Sequence, residues 1–322
     1  MSKWNIPEEG HMDKPDGLYL QNMTAKQVRE RLKKNDLIIV PLGSTEAHGD
    51  SAPLGEDTIL VTRMAEQVAQ KTGCTITMPI WYGSHPYHHL GMPGTIPVPE
   101  DIFVRNIVCV IAGLWNAGFR KQILLNGHGQ EYVIPNAIHM FAKKYQVPSL
   151  LLALNWYHAV PDEFKTKDQG GQYETKFIHA DEQEQSWTLA LLPEMCRMED
   201  ACDNKPYGYL KDGHIDKAGN VGRLPIHWYA QVGAGPIEVI AYPEGCVGSP
   251  TLASAEKARP GVEKFLNYLE KLVNDVMEAF PPGKLPPIEE VTQRPKEEVE
   301  SLLKGPLAKG GKSIYTIAWP PA

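Results

Sequence analysis

Leu37-Ile38-Ile39-Val40-Pro41-Leu42-Gly43-Ser44-Thr45-Glu46-Ala47-His48-Gly49-Asp50-Ser51-Ala52-Pro53-Leu54-Gly55-Glu56-Asp57 is the stretch that sets the fold. Leu37 to Val40 is short, apolar and rich in β-branched residues, and Asn35-Asp36 and Pro41 to Gly43 bound it. Such a run reads as a buried strand. The character then changes at once. Glu46 and His48 are two apart, so extended backbone points them to the same side. Asp57 follows nine residues later and opens a helical pattern. Two carboxylates and an imidazole just past a buried strand suit a hard-to-borderline metal ion. In open α/β sheets, ligands bind outside the carboxyl ends of the strands. The competing reading makes Glu46 and His48 solvated loop residues and Asp57 a helix N-cap.

Outward from this stretch, strands and helices alternate. Residues 1–23 are polar and carry Pro7, Gly10, Pro15 and Gly17, which suggests an extended arm. Thr24-Ala25-Lys26-Gln27 has the form of a capping box, with Val28 and Leu32 on one face of the helix it opens. Ile59, Leu60, Met64 and Val68 have helical spacing, and Gly73 suits the helix end. Thr75 to Ile80 reads as a second strand. Trp81 to Pro99 is a long loop containing His85, His88 and His89, whose aromatic and histidine content suggests function rather than disorder. Glu100 to Gly118 is helical, and Gln122 to Leu125 is a third strand that ends in Asn126-Gly127-His128-Gly129. His128 thus sits past a strand end, as Glu46 and His48 do. Glu131 to Tyr145 reads as a helix and Ser149 to Leu154 as a strand, followed by Asn155-Trp156-Tyr157-His158. A helix opens near His179-Ala180-Asp181-Glu182, with Glu184 one turn inside. Asp181 and Glu182 would be favourable there through the helix dipole alone. Pro236 to Tyr242 reads as a further strand and Leu252 to Phe280 as a helix containing Pro260. This rhythm predicts a mostly parallel sheet with helices on both faces.

The 322 residues are 42% hydrophobic and 22% charged, ordinary proportions for a globular protein able to bury a large core. A net charge of −7 and a pI near 5.9 give no basic field for nucleic acid or an anionic membrane. The N-terminus lacks the apolar core of a signal peptide, and no stretch has the apolar length of a membrane span. The five cysteines include no Cys-x-x-Cys pair and read as thiols of a reducing cytoplasm.

The chain resembles the creatininase family of metal-dependent hydrolases. The resemblance rests on Gly43-Ser44-Thr45-Glu46-Ala47-His48-Gly49, Asp57, Pro93-Gly94-Thr95, Asn126-Gly127-His128-Gly129, and His179-Ala180 with Glu184 and Ser186. Gly248-Ser249-Pro250-Thr251 adds a weaker match. The resemblance implies a three-layer αβα sandwich with a mostly parallel central sheet. The motifs run from about residue 24 to 275, and composition sets off an arm at 1–23 and a Pro-rich tail at 281–322 from one catalytic domain at 24–280. The resemblance also implies two divalent ions, zinc or manganese, on Glu46, His48, Asp57, His128 and Glu184, with Asp57 bridging and His179 moving protons. A homo-oligomer, hexameric in the family pattern, is expected.

Some positions depart from the pattern. Asp50 and Ser51 replace a common Pro-His, and Gln185 replaces a threonine. Gln130 stands where creatinine hydrolases place a further metal-binding glutamate. The Trp81–Pro99 loop, Asn155 to His158 and Gly213 to Asn220 are most similar to members that open an inositol-derived cyclic diketone by hydrolysing a C–C bond. For a polyhydroxylated ring, His88, His89, Trp156, Tyr157 and His158 are the candidate substrate contacts. The alternatives are hydrolysis of a cyclic amide, isomerisation of a keto-sugar without consumption of water, and a metal-stabilised binding protein without turnover.

Overall fold

The computed structural model describes residues 2–7, 9–84, 92–130, 132–145, 147–205, 241 and 243–286. Four strands form the sheet: β1 (Leu37–Leu42), β2 (Thr75–Ile76), β3 (Lys121–Asn126) and β4 (Leu150–Asn155). They lie in the order β2-β1-β3-β4, and every pair is parallel. Leu42 of β1 is level with Asn126 of β3, which is level with Asn155 of β4. Three strands therefore end together, and whatever follows them meets at one edge of the sheet.

Alternation along the strands sorts the core. Leu37, Ile39, Ile123 and Leu125 face one buried cluster, and Ile38, Val40, Leu42 and Leu124 face the other. The helices follow this division. The first cluster takes side chains from α2 (Glu56–Thr72), α6 (Glu182–Leu191) and α7 (Ala255–Ala279). The second takes them from α3 (Glu100–Ala117) and α4 (Val133–Tyr145), with Val28 and Leu32 of α1 (Ala25–Lys34) packed against it. A single turn, α5 (Trp156–Ala159), follows β4 directly. The result is the αβα sandwich that the rhythm predicted. No helix among the described residues is long and apolar enough to cross a membrane.

Local chemistry explains the boundaries. Thr24 and Gln27 form the capping box of α1. Gly73 and Gly118 close α2 and α3 at φ 68° and 115°. Pro41 lies within a central strand, where a missing N–H is usually costly. Its carbonyl accepts from Ile80 beyond the last residue of β2, so the proline faces a position with no ladder bond to lose.

Two expectations and one competing reading need correction. The second strand stops at Ile76, with only a bridge from Ile80 to Leu42, because Met78 N–H is taken by the Gln21 side chain and Pro79 has no N–H to donate. Asp57 is the second residue of α2, which starts at Glu56 after Gly55, and so is not an N-cap. The N-terminal arm is not simply extended. It carries a short 3-10 turn at Leu20–Asn22, and Trp4, Leu18 and Tyr19 are buried in the first core cluster. His85, His88, His89, Gly213 to Asn220, almost all of the strand expected at Pro236 to Tyr242, and the tail from residue 287 lie outside the described residues.

Candidate metal centre

The tips of β1 and β3 press against the first turn of α2. A Cβ on Gly43 would lie 2.5 Å from the backbone of Thr58, and one on Gly127 only 1.9 Å from the carbonyl oxygen of Asp57. Gly127 N–H also donates to Leu42 at 2.8 Å, locking the two tips together. This approach is available only to glycine, and it carries Glu46 and His48 after β1, and His128 after β3, onto Asp57. The fourth contribution is Glu184, from α6 of the first layer.

These side chains form two overlapping groups. Glu46, Asp57 and His128 make one, and His48, Glu56, Asp57 and Glu184 the other, with donor atoms in each group within 4.8 Å of one another. Glu46, His48 and His179 satisfy the same criterion. Asp57 is common to the first two groups and turns a different oxygen to each. Its Oδ2 lies 3.1 Å from His128 Nδ1, and its Oδ1 lies 3.6 Å from His48 Nε2. All six residues of the first two groups are buried.

The donor atoms of these groups are held from behind. Ser44 donates to Asp57 Oδ2 at 2.7 Å, and Thr188 donates to Glu56 Oε1 at 2.7 Å. Ala180 N–H donates to Glu184 Oε2 from a residue at φ 45°, a conformation costly for alanine. Asp181 caps α6 through the amides of Gln183 and Glu184. The acidic first turn of α6 is therefore divided: Asp181 serves the helix, while Glu184 turns into the cluster. His48 Nδ1 faces the carbonyl of Glu46 at 3.2 Å, so Nδ1 keeps its proton and Nε2 is the nitrogen that would exchange a proton for an ion.

The electrostatics fit the same use. Burial opposes charge on His48, but Asp57, Glu184 and Glu46 outweigh it and hold its pKa well above the ordinary histidine value. Burial likewise opposes charge on His128, and Glu46 and Asp57 raise its pKa well above that value. Asp57 resists burial because both imidazolium groups hold its carboxyl below the usual range. Burial pushes Glu56 up to about 8, and burial together with the Glu56 charge raises Glu184. The cluster thus stores protons that a divalent cation would displace. His48 Nε2 is buried and makes no hydrogen bond. It is ringed by oxygens of Glu46, Glu56, Asp57 and Glu184 at 3.5, 3.6, 3.6 and 3.9 Å. These distances are too long for hydrogen bonds. Two ligands of a tetrahedral ion at ~2.1 Å are about 3.4 Å apart, so the spacing fits a shared cation.

The remaining sequence candidates fall in different places. His179 lies beside the cluster, with ring centres of His48 and His179 4.7 Å apart. Its Nε2 meets the Ala47 carbonyl at 2.9 Å, so Nδ1 faces Glu46 Oε1, 3.8 Å away. Burial lowers its pKa to about 4. Trp156 is buried in an aromatic nest with Phe164, Phe177 and Trp187, its indole N–H donating to Gly127 at 3.2 Å. It is part of the core rather than an open contact surface. Tyr157 packs on Phe177, and His158 Nδ1 meets Asn155 at 3.1 Å. Gln130 is a structural tie: its amide donates to the Gly43 carbonyl and to Asn126 Oδ1, and its oxygen accepts from Ser84 N–H. Ser51 and Gln185, two of the departures from the family pattern, meet each other at 2.9 Å. Glu56 was missed by sequence reasoning because a carboxylate at the start of a helix has a sufficient explanation in the helix dipole. The available signal was its place beside Asp57 in a helix whose next turns are apolar.

The family model described as creatinine amidohydrolase, creatininase, matches residues 21–273. The chain belongs to the creatininase family. It is 66% identical over 305 residues to the 3-dehydro-scyllo-inosose hydrolase of Thermotoga maritima, an alignment covering 95% of this chain and 98% of that protein. It is 22% identical over 211 residues to the creatinine amidohydrolase of Pseudomonas putida, covering 59% and 77% of the two chains. Among solved structures, a creatinine amidohydrolase (creatininase) superposes with a TM-score of 0.65 at 19% identity, covering 83% of this chain and 99% of that one. The αβα architecture is thus the creatininase fold.

Proposed function

We propose that this creatininase-family chain is a binuclear metal-dependent hydrolase that opens a small polyhydroxylated ring, the cyclic diketone 3-dehydro-scyllo-inosose, to a linear keto-acid. The observation that carries the substrate is the 66% identity, over 95% of the chain, to a protein of that activity. The site supports the reaction type. Glu46, Asp57 and His128 would hold one divalent ion and His48, Asp57 and Glu184 the other, with Asp57 between them. The mixed nitrogen and oxygen donors suit zinc or manganese. Such ions supply Lewis acidity, which activates water near neutral pH and polarises a carbonyl.

The residues then have separable tasks. Water adds its oxygen to one ketone carbon, and the bond from that carbon to the ring carbon between the two ketones breaks. The electron pair moves to that ring carbon and is stabilised as the enolate of the second ketone. His179 accepts the proton from water at Nδ1 and returns it to the enolate carbon. Its Nε2–H, anchored on Ala47, fixes the tautomer that makes Nδ1 the acceptor. Its low pKa keeps the ring neutral before the transfer and makes the protonated ring a ready donor afterwards. His88, His89, Tyr157 and His158 are the proposed contacts for the ring hydroxyls, in a homo-oligomeric cytoplasmic enzyme.

The test is turnover of 3-dehydro-scyllo-inosose by metal-replete protein in ¹⁸O-water, followed by mass spectrometry. One ¹⁸O in the carboxylate of a linear keto-acid is expected. No reaction by protein that holds its metals would sink the substrate assignment and turn the search to cyclic amides. Unlabelled rearranged product would indicate an isomerase.

A further inference from the structure

We propose that Glu56 is a further protein ligand of the ion at His48, Asp57 and Glu184, which is then held by one nitrogen and three carboxylate oxygens. The inference rests on the reading above that the cluster binds divalent ions.

Glu56 opens α2, where a carboxylate pointing to solvent would need no explanation beyond the dipole. Its side chain instead turns inward, and the residue is 1% exposed. The two oxygens have different roles. Oε1 accepts from Thr188 at 2.7 Å, and this fixes the plane of the carboxylate. Oε2 points at the cluster, 3.6 Å from His48 Nε2. That separation matches the 3.6 Å between His48 Nε2 and Asp57 Oδ1, so Glu56 and Asp57 are placed alike about the imidazole.

Charge argues the same way. No lysine or arginine among the described residues pairs with Glu56, Asp57 or Glu184, whose cationic neighbour is His48. Burying carboxylates is strongly disfavoured unless charge balances them, and the single imidazole of His48 shared by Glu56, Asp57 and Glu184 leaves negative charge in excess. Four carboxylates with two divalent ions are balanced. An isosteric amide at position 56 would keep the Thr188 hydrogen bond and the volume while removing the anionic donor.

The experiment uses the full chain. Wild type, Glu56→Gln, Glu56→Asp and Thr188→Val are dialysed against buffered free Zn²⁺ and assayed for metal by mass spectrometry. In parallel, the metal-free proteins are titrated with Co²⁺ and the visible absorption of the ion is recorded. Wild type should hold two ions. Glu56→Gln should weaken one of them by at least about 100-fold and change the Co²⁺ spectrum, leaving the other intact. Thr188→Val, which removes the support of Oε1 together with the hydroxyl contact to the Glu184 carbonyl, should weaken the same ion by about 10- to 100-fold. Equal affinities and superimposable Co²⁺ spectra in wild type and Glu56→Gln would overturn the proposal while leaving the binuclear reading standing. If Glu56→Gln does not fold, unchanged metal affinity in both Glu56→Asp and Thr188→Val overturns it. A wild-type protein that binds no ion would overturn the underlying reading as well, and that result is distinguishable at the first titration.

Discussion

Replacing Gly127 by alanine tests how the site is assembled. The added methyl would sit 1.9 Å from the carbonyl oxygen of Asp57 and 3.1 Å from Val61 Cγ1. Comfortable carbon–oxygen approaches begin at about 3.3 Å. The first turn of α2 must therefore retreat from β3 by about 1.4 Å, measured from the 1.9 Å contact. The retreat acts on Asp57, which both ligand groups share, and on Glu56 beside it. Metal ligands tolerate about 0.2 Å, and a misplacement of about 1 Å at a reacting centre costs about 100-fold in rate. Overpacking of this kind costs about 1–3 kcal/mol of stability. A fold of this size tolerates that, so Gly127→Ala should remain folded by circular dichroism, with a lowered Tm. Its metal content should fall from two ions towards one or none, and its turnover should fall by about 100-fold or more. A folded Gly127→Ala protein that keeps both ions and turns over within threefold of wild type would refute the reasoning. It would mean that α2 is not positioned by its contact with the β3 tip.

Ser44→Ala removes the 2.7 Å hydrogen bond to Asp57 Oδ2. Metal affinity should fall by about 10- to 100-fold, read by competition with a chromophoric chelator. The carboxylates around them hold the pKa values of His48 and His128 well above the ordinary histidine value, so the metal-free cluster favours the protonated imidazoles and a cation must displace those protons. Metal binding therefore releases protons, and affinity should rise with pH by about tenfold per unit for each proton displaced. Isothermal titration in buffers of different ionisation enthalpy counts them, and affinity independent of pH between 6 and 8 would contradict the placement. At the opposite edge of the sheet, buried Lys121 pairs with buried Asp36, which also accepts from Gly283 N–H at 2.9 Å. Lys121→Ala strands that carboxylate and should cost about 3–5 kcal/mol in urea unfolding, with metal stoichiometry unchanged.

The sequence by itself determined the layers and most of the candidate ligand positions. Buried strands leave apolar runs, helices leave a 3.6-residue spacing, and both signals are local, which is why β1, β3 and β4 and the helices between them were readable. The Thr24–Gln27 cap and the glycines at 73 and 118 were readable for the same reason. Family motifs then singled out Glu46, His48, Asp57, His128 and Glu184. Only the tertiary structure decided which atoms face one another. The pairing of Ser51 with Gln185 joins residues 134 positions apart, and no local pattern marks it. Lys121 with Asp36 and Thr188 with Glu56 are likewise long-range. Trp156 is a candidate contact for a polyhydroxylated ring in the sequence, and only the tertiary structure shows its large apolar surface packed in the aromatic nest beneath the site. Glu56 looked like helix-dipole decoration because direction into or out of the core is invisible in a single residue at a helix start. That direction is set by the glycine contacts that press α2 onto the strand tips.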